Sequence, residues 1–128
     1  MEKTKTFILI DDDPTNILIG ETTIWRLVND AKVISFTKAV EGLAYIKQHY
    51  PLKENEQTIL LLDLEMPIMT GYEFINEFMK LDESIRKQIK IIVVSAAING
   101  PNIQFSSNCV SRFISKPLLE EHVRSMVE

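Results

Sequence analysis

A single cysteine among 128 residues, Cys109, leaves no intramolecular disulfide to form. That usage suits a reducing compartment, and the residue needs no role beyond small apolar packing. An excess of positive charge is also missing. The formal net charge is −4, so no basic footprint exists for direct nucleic-acid binding. Long apolar runs are absent. Phe7-Ile-Leu-Ile10 is far too short to cross a bilayer and runs straight into charges, so neither a membrane span nor a secretory leader is expected. There is no internal repeat, linker or low-complexity stretch. What remains is 45% hydrophobic and 25% charged, ordinary values for a globular chain. The expectation is one soluble cytoplasmic domain over residues 1–128, with no membrane or nucleic-acid contact and no output domain after Glu128.

Apolar and amphipathic runs alternate along the chain. Strands are expected at residues 6–10, 32–36, 58–62, 91–95 and 112–115, and helices over 15–28, 38–50, 72–81 and 118–127. In the first helix Ile17, Ile24 and Val28 share a face, with Gly20 allowing close packing. Val40, Leu43, Lys47 and Tyr50 line up in the second, which Pro51 ends. Phe74, Ile75, Phe78 and Met79 mark the third, and Leu119, Val123 and Met126 or Val127 the last. Segment 99–108 is rich in turn formers and reads more simply as a loop, with a short helix starting after Pro101 as the alternative. Five strands alternating with helices imply an α/β fold with a parallel sheet.

Several of these strands end on a polar residue. Thr58-Ile-Leu-Leu-Leu-Asp-Leu-Glu-Met-Pro67 reads as a strand buried on both faces, and Pro67, which cannot donate to a ladder, forces it to stop. Asp63 is thereby held at a strand's carboxyl end, where open α/β sheets bind ligands. The first strand runs into Asp11-Asp12-Asp13-Pro14. Asp13 before Pro14 reads as N-cap followed by N1. Asp11 and Asp12 are left over, and with Asp63 they would repel unless a hard divalent cation such as Mg²⁺ offset their charge. The fourth strand delivers Ser95 and the fifth Lys116 to the same edge, a hydroxyl and an ammonium suited to phosphoryl oxygens. His49 and His122 fall in helical patterns away from these strand ends and read as surface positions, so histidine acid–base catalysis is not expected.

Taken together, Ile-Asp-Asp-Asp-Pro, Asp63-Leu-Glu-Met-Pro-Ile-Met-Thr-Gly71, Val-Ser-Ala and Phe113-Ile-Ser-Lys-Pro117 resemble the receiver domain of two-component response regulators, over nearly the whole chain and in the right order. The resemblance implies a flavodoxin-like, doubly wound five-stranded sheet of order 2-1-3-4-5 with helices on both faces, an order that general fold rules already illustrate with the chemotaxis regulator. It implies that Asp63 accepts a phosphoryl group from a phosphohistidine on a histidine kinase or histidine phosphotransfer protein. Asp12 would bind Mg²⁺ directly, Asp11 chiefly through water, and Glu65 through its backbone carbonyl, with Asp63 completing the set. Ser95 and Lys116 would hold phosphoryl oxygens, and Ser95 with Phe113 would form the switch. Phe113 lacks the hydroxyl that many receivers carry there. Glu65 and Ala97 fall at positions that tune self-dephosphorylation in the family. The chain would not be an enzyme beyond catalysing its own phosphorylation and dephosphorylation. Its output would pass through contact with an output protein or through a phosphorylation-dependent dimer.

A rival reading comes from Asp11-x-Asp13-x-Thr15, which fits the nucleophile motif of haloacid-dehalogenase-type phosphatases. There Asp11 would carry the phosphoryl group and Asp13 would act as acid/base. That reading leaves Asp63 and its Met-Pro turn without a role.

Overall fold

The computed structural model describes residues 6–53, 56–96 and 109–127. Segment 99–108, expected to be a loop, and Ala97 lie outside these. The strands are β1 (Thr6–Ile10), β2 (Lys32–Phe36), β3 (Thr58–Leu62), β4 (Ile89–Ser95) and β5 (Val110–Ser115). The helices are α1 (Pro14–Leu27), α2 (Ala39–His49), α3 (Gly71–Phe78), a short α4 (Glu83–Arg86) and α5 (Glu120–Val127). All strand pairs are parallel, in the order β2-β1-β3-β4-β5. This is the doubly wound arrangement expected from the sequence.

Alternation along the strands splits the core in two. Ile8, Ile10, Leu60, Leu62, Ile91 and Val93 face α2, α3 and α4. Phe7, Leu9, Ile59, Leu61, Ile92, Val94 and Ile114 face the other way, against Ile24 of α1 and Val123 and Met126 of α5. β1 and β3 are buried along their whole length, which is why they read as unbroken aliphatic runs rather than alternating ones.

Several expected details shift. In α2 the inward face is Ala39, Gly42, Leu43 and Ile46, while Val40 is 49% exposed and Lys47 lies in solvent. The small residues take the contact: a Cβ on Gly42 would come 2.5 Å from Ile10 Cδ1. Leu119 is 45% exposed and precedes α5 rather than packing from within it. The third helix ends at Phe78, and α4, capped by Asp82, was not expected. β4 and β5 each begin two residues earlier than their apolar cores suggest.

Two helix starts bear on the polar edge. Asp13 caps α1 by accepting the N–H of Thr15 at 2.9 Å, with Pro14 next. Thr70 and Glu73 form a reciprocal capping box on α3, a pattern that satisfies two free backbone donors. The chain between β3 and α3 folds back so tightly that a Cβ on Gly71 would strike the carbonyl oxygen of Asp63 and lie 2.7 Å from Leu64 Cα. Both obstacles are backbone, so neither moves cheaply. Gly71→Ala is expected to cost about 1–3 kcal/mol, read as a lower urea midpoint with unchanged slope.

Candidate functional site

Register brings the acids together. Ile10 pairs with Leu62, and the pairing carried one residue further sets Asp11 beside Asp63. Their backbones are tied down: the Asp63 N–H donates to Ile10 O at 3.0 Å and the Asp11 N–H to Phe36 O at 3.1 Å. Asp63 is 5% exposed. Its Oδ1 accepts the Glu65 N–H at 3.3 Å and its Oδ2 accepts from Lys116 Nζ at 3.2 Å. The same ammonium lies 2.8 Å from Asp11 Oδ2, while Asp11 Oδ1 accepts the Asp13 N–H at 2.9 Å. One cation therefore serves two carboxylates. Asp12 is exposed, yet carboxylate oxygens of Asp11, Asp12 and Asp63 lie within 4.8 Å of one another.

The charges do not balance locally. Burial pushes the Asp63 carboxyl above the usual aspartate range, the charge of Asp11 pushes it further, and Lys116 offsets part of both. Burial also opposes the charge on Lys116, but its hydrogen bond to Asp11, the charge of that residue and its contacts with Asp63 outweigh this and hold the ammonium above the usual lysine value. Three carboxylates facing one ammonium leave two negative charges. That surplus, with oxygen donors close together at a strand edge, fits a hard divalent cation of the Mg²⁺ kind.

Of the other expected residues, Ser95 and Glu65 lie at or just beyond strand ends on the same edge, while Phe113 lies within β5 opposite Val93. Ser95 is fully buried at the end of β4, and its carbonyl accepts the Lys116 N–H at 3.2 Å, which anchors the start of the β5–α5 connection. Phe113, on β5, is 42% exposed. Glu65 is exposed and contributes its backbone N–H to Asp63. Against the phosphatase reading, Asp13 Oδ1 accepts the Thr15 N–H as the N-cap of α1, while Asp63, which that reading leaves without a role, meets Lys116 at the acidic edge.

Sequence reasoning missed some contributors. Gly71 appeared only as the end of a motif, although its missing side chain is what lets α3 sit on Asp63. Phe36 acts through its carbonyl, which no side-chain pattern signals. Ile68 takes a left-handed backbone at φ 69°, rare for a β-branched residue, and stands 87% exposed in the connection between β3 and α3. A small open cavity of about 50 Å³ reaches from Asp11, Asp63 and Lys116 down between α1 and the β5–α5 connection, walled by Ile17, Gly20 and Leu118 among others.

Comparison with known proteins agrees with this fold. The response regulator receiver domain family matches residues 7–128, so the chain belongs to the receiver domains of two-component signalling. It is 24% identical over 115 residues to the polar-differentiation response regulator DivK of Brucella ovis, covering 90% of this chain and 86% of that one. It is also 24% identical over 122 residues to the peroxide stress-activated histidine kinase mak1 of Schizosaccharomyces pombe, covering 94% of this chain but only 7% of the kinase. A solved two-component response regulator from Cytophaga hutchinsonii superposes with a TM-score of 0.82 at 23% identity, covering 98% of this chain and 95% of that one. Among the described residues no helix is long and apolar enough to cross a membrane.

The electrostatics predict a stability effect. With its value raised in the folded state, Asp63 holds a proton more tightly there than in the unfolded chain, so stability falls as pH rises from the ordinary aspartate range through that raised value. Asp63→Asn removes the uncompensated charge and is expected to stabilise the metal-free protein at neutral pH by about 1 kcal/mol, as relief of a destabilised polar site commonly does. Thermal melts at stepped pH should show this advantage shrinking as acid protonates Asp63 in the parent.

Proposed function

We propose that Asp63 accepts a phosphoryl group from a phosphohistidine on a histidine kinase or histidine phosphotransfer protein, in the presence of Mg²⁺, and that the aspartyl phosphate biases a protein-interaction surface. The observation that carries this reading is the Lys116 ammonium shared by Asp11 and Asp63 inside a cluster of three carboxylates. A carboxylate oxygen of Asp63 attacks phosphorus, forming the P–O bond as the P–N bond to the donor imidazole breaks. Asp63 is suited to this because its backbone is fixed by Ile10 and its carboxylate is held by Lys116 and the Glu65 N–H.

Asp12 and Asp63 would hold Mg²⁺ directly, Asp11 through water and Glu65 through its carbonyl. Bound there, the ion would neutralise charge on the phosphoryl oxygens. Lys116 turns from the carboxylates to one phosphoryl oxygen as a point charge, and the Ser95 hydroxyl donates to another. Drawing Ser95 toward the phosphoryl group opens room for the Phe113 ring to turn inward from its exposed position, the packing change that alters the surface. The readout is a protein contact, to an output protein or to a second copy of the chain. We read the chain as catalysing only its own phosphorylation and dephosphorylation, and as cytoplasmic, in keeping with its cysteine usage.

Two measurements test this. After acetyl phosphate and Mg²⁺, borohydride trapping with peptide mass spectrometry should label Asp63, and Asp63→Asn should lose the mass shift while remaining folded. Label on Asp11 instead, or a full shift in the variant, would refute the assignment. Mg²⁺ at a hundredfold excess over its dissociation constant should raise stability by about 2.7 kcal/mol, and Asp12→Ala should weaken that effect. An unchanged titration in the variant would remove Asp12 from the site.

A further inference from the structure

Helix α5 begins in a way that no other described helix does. The carbonyl of Leu119 accepts the N–H groups of His122 and Val123 at 3.0 and 3.3 Å, which makes Leu119 the N-cap and His122 the third helical residue. The Leu119 N–H in turn donates to Nδ1 of His122 at 3.0 Å. This is half of a capping box, with imidazole in the place where α3 uses the carboxylate of Glu73. The difference matters because a carboxylate remains an acceptor throughout the neutral range. Histidine is the side chain that changes charge between about pH 5 and 8. Once protonated, Nδ1 becomes a donor pointed at another donor, and a cation sits in the first turn, where the helix dipole disfavours it.

The turn so capped lies beside the site. Only Pro117, Leu118 and Leu119 separate Lys116 from α5, and Leu118 walls the cavity that opens on Asp63 and Lys116. Downstream, α5 is fastened by buried Val123 and Met126 and by Arg112 of β5, which donates to Ser125 while Ser125 donates to His122 O. Among the described residues, the charged groups near the cap include Glu120, Glu121 and Arg124 on its own helix, Arg26 of α1 at 3.8 Å from Glu120, Arg112 of β5, and Lys116 ahead of α5. Because Val123, Met126 and the His122 carbonyl are held, the start of the helix at Leu119, Glu120 and Glu121 can loosen without the helix leaving the core.

We propose that His122 is a proton-sensitive positioning residue: neutral, it holds the first turn of α5 and with it the Leu118–Leu119 connection to Lys116; protonated, it releases that turn and slows phosphoryl acceptance at Asp63. The kinetic consequence rests on the function proposed above, whereas the cap itself can be examined without phosphate.

The test combines NMR and labelling on the full chain. Long-range nitrogen–proton spectra of His122 should show the Nε2–H tautomer at pH 8 and protonation on acidification. Hydrogen-exchange protection of the Leu119 amide, corrected for intrinsic rate, should fall roughly five- to tenfold between pH 8 and 5.5, the usual size of a lost cap. His122→Gln, a neutral acceptor suited to this position, should keep protection constant over that range, and His122→Ala should lack it throughout. Acetyl phosphate labelling of the parent relative to His122→Gln should be near equal at pH 8 and several-fold lower at pH 5.5. An Nδ1–H tautomer, an imidazole that stays neutral at pH 5, or flat protection while it titrates would overturn the cap. Equal labelling at pH 5.5 with the cap shown would overturn the positioning role. No label in either protein at any pH would overturn the proposed function, and the positioning role with it.

Discussion

The bridge made by Lys116 between Asp11 and Asp63 is the contact on which the rest of this molecule turns. Gathering acids at one edge of a parallel sheet costs free energy, through mutual repulsion and through the partial desolvation of Asp63. A single ammonium offsets only part of that. The edge is thus left electrostatically unfinished, and under the proposed function it would be completed by a divalent cation and a transferable phosphoryl group that takes over the ammonium. Stability and function pull against each other at this edge, as they commonly do where polar groups are assembled for chemistry.

The scaffold supplies the rigidity that such an arrangement requires. β1 and β3 lie in the middle of the sheet, buried on both faces, and their hydrogen-bond ladders continue into the first residue of each acidic segment. Gly71 lets α3 start directly against the backbone of Asp63. Lys116 comes from the far side of the sheet, where the Ser95 carbonyl pins its backbone at 3.2 Å and leaves the side chain to reach across. Rigid acids and a long, adaptable cation suit a site in which one partner must change hands.

Much of this was legible in the sequence because the central parallel strands are apolar runs without interruption, each followed within a few residues by a proline, Pro14 or Pro67, that cannot donate to a ladder. The convergence of Asp11, Asp12, Asp63, Ser95 and Lys116 followed from strand ends alone. The inward face of α2 did not, because Ala39 and Gly42 carry it and small residues add little to a hydrophobic pattern. Four residues of α4 are too few to show any period. Leu119 reads as a core residue by spacing, yet it sits at the cap, before the periodicity begins. His122 reads as an uninvolved surface position, since nothing in a sequence shows which backbone N–H an imidazole meets. Backbone contributions, from the Phe36 carbonyl to the strained turn at Ile68, leave no trace in residue type at all.

The central claim is that the acidic edge is built to exchange Lys116 between carboxylate and phosphoryl oxygens around a divalent cation. A crystal structure with Mg²⁺ and beryllofluoride, which mimics a phosphoryl group on aspartate, tests it most directly. The account predicts the fluoride group on Asp63, the ion held by Asp12, Asp63 and the Glu65 carbonyl, and Lys116 moved from Asp11 onto a fluorine. A structure in which Lys116 stays on Asp11 with the ion bound elsewhere would contradict it.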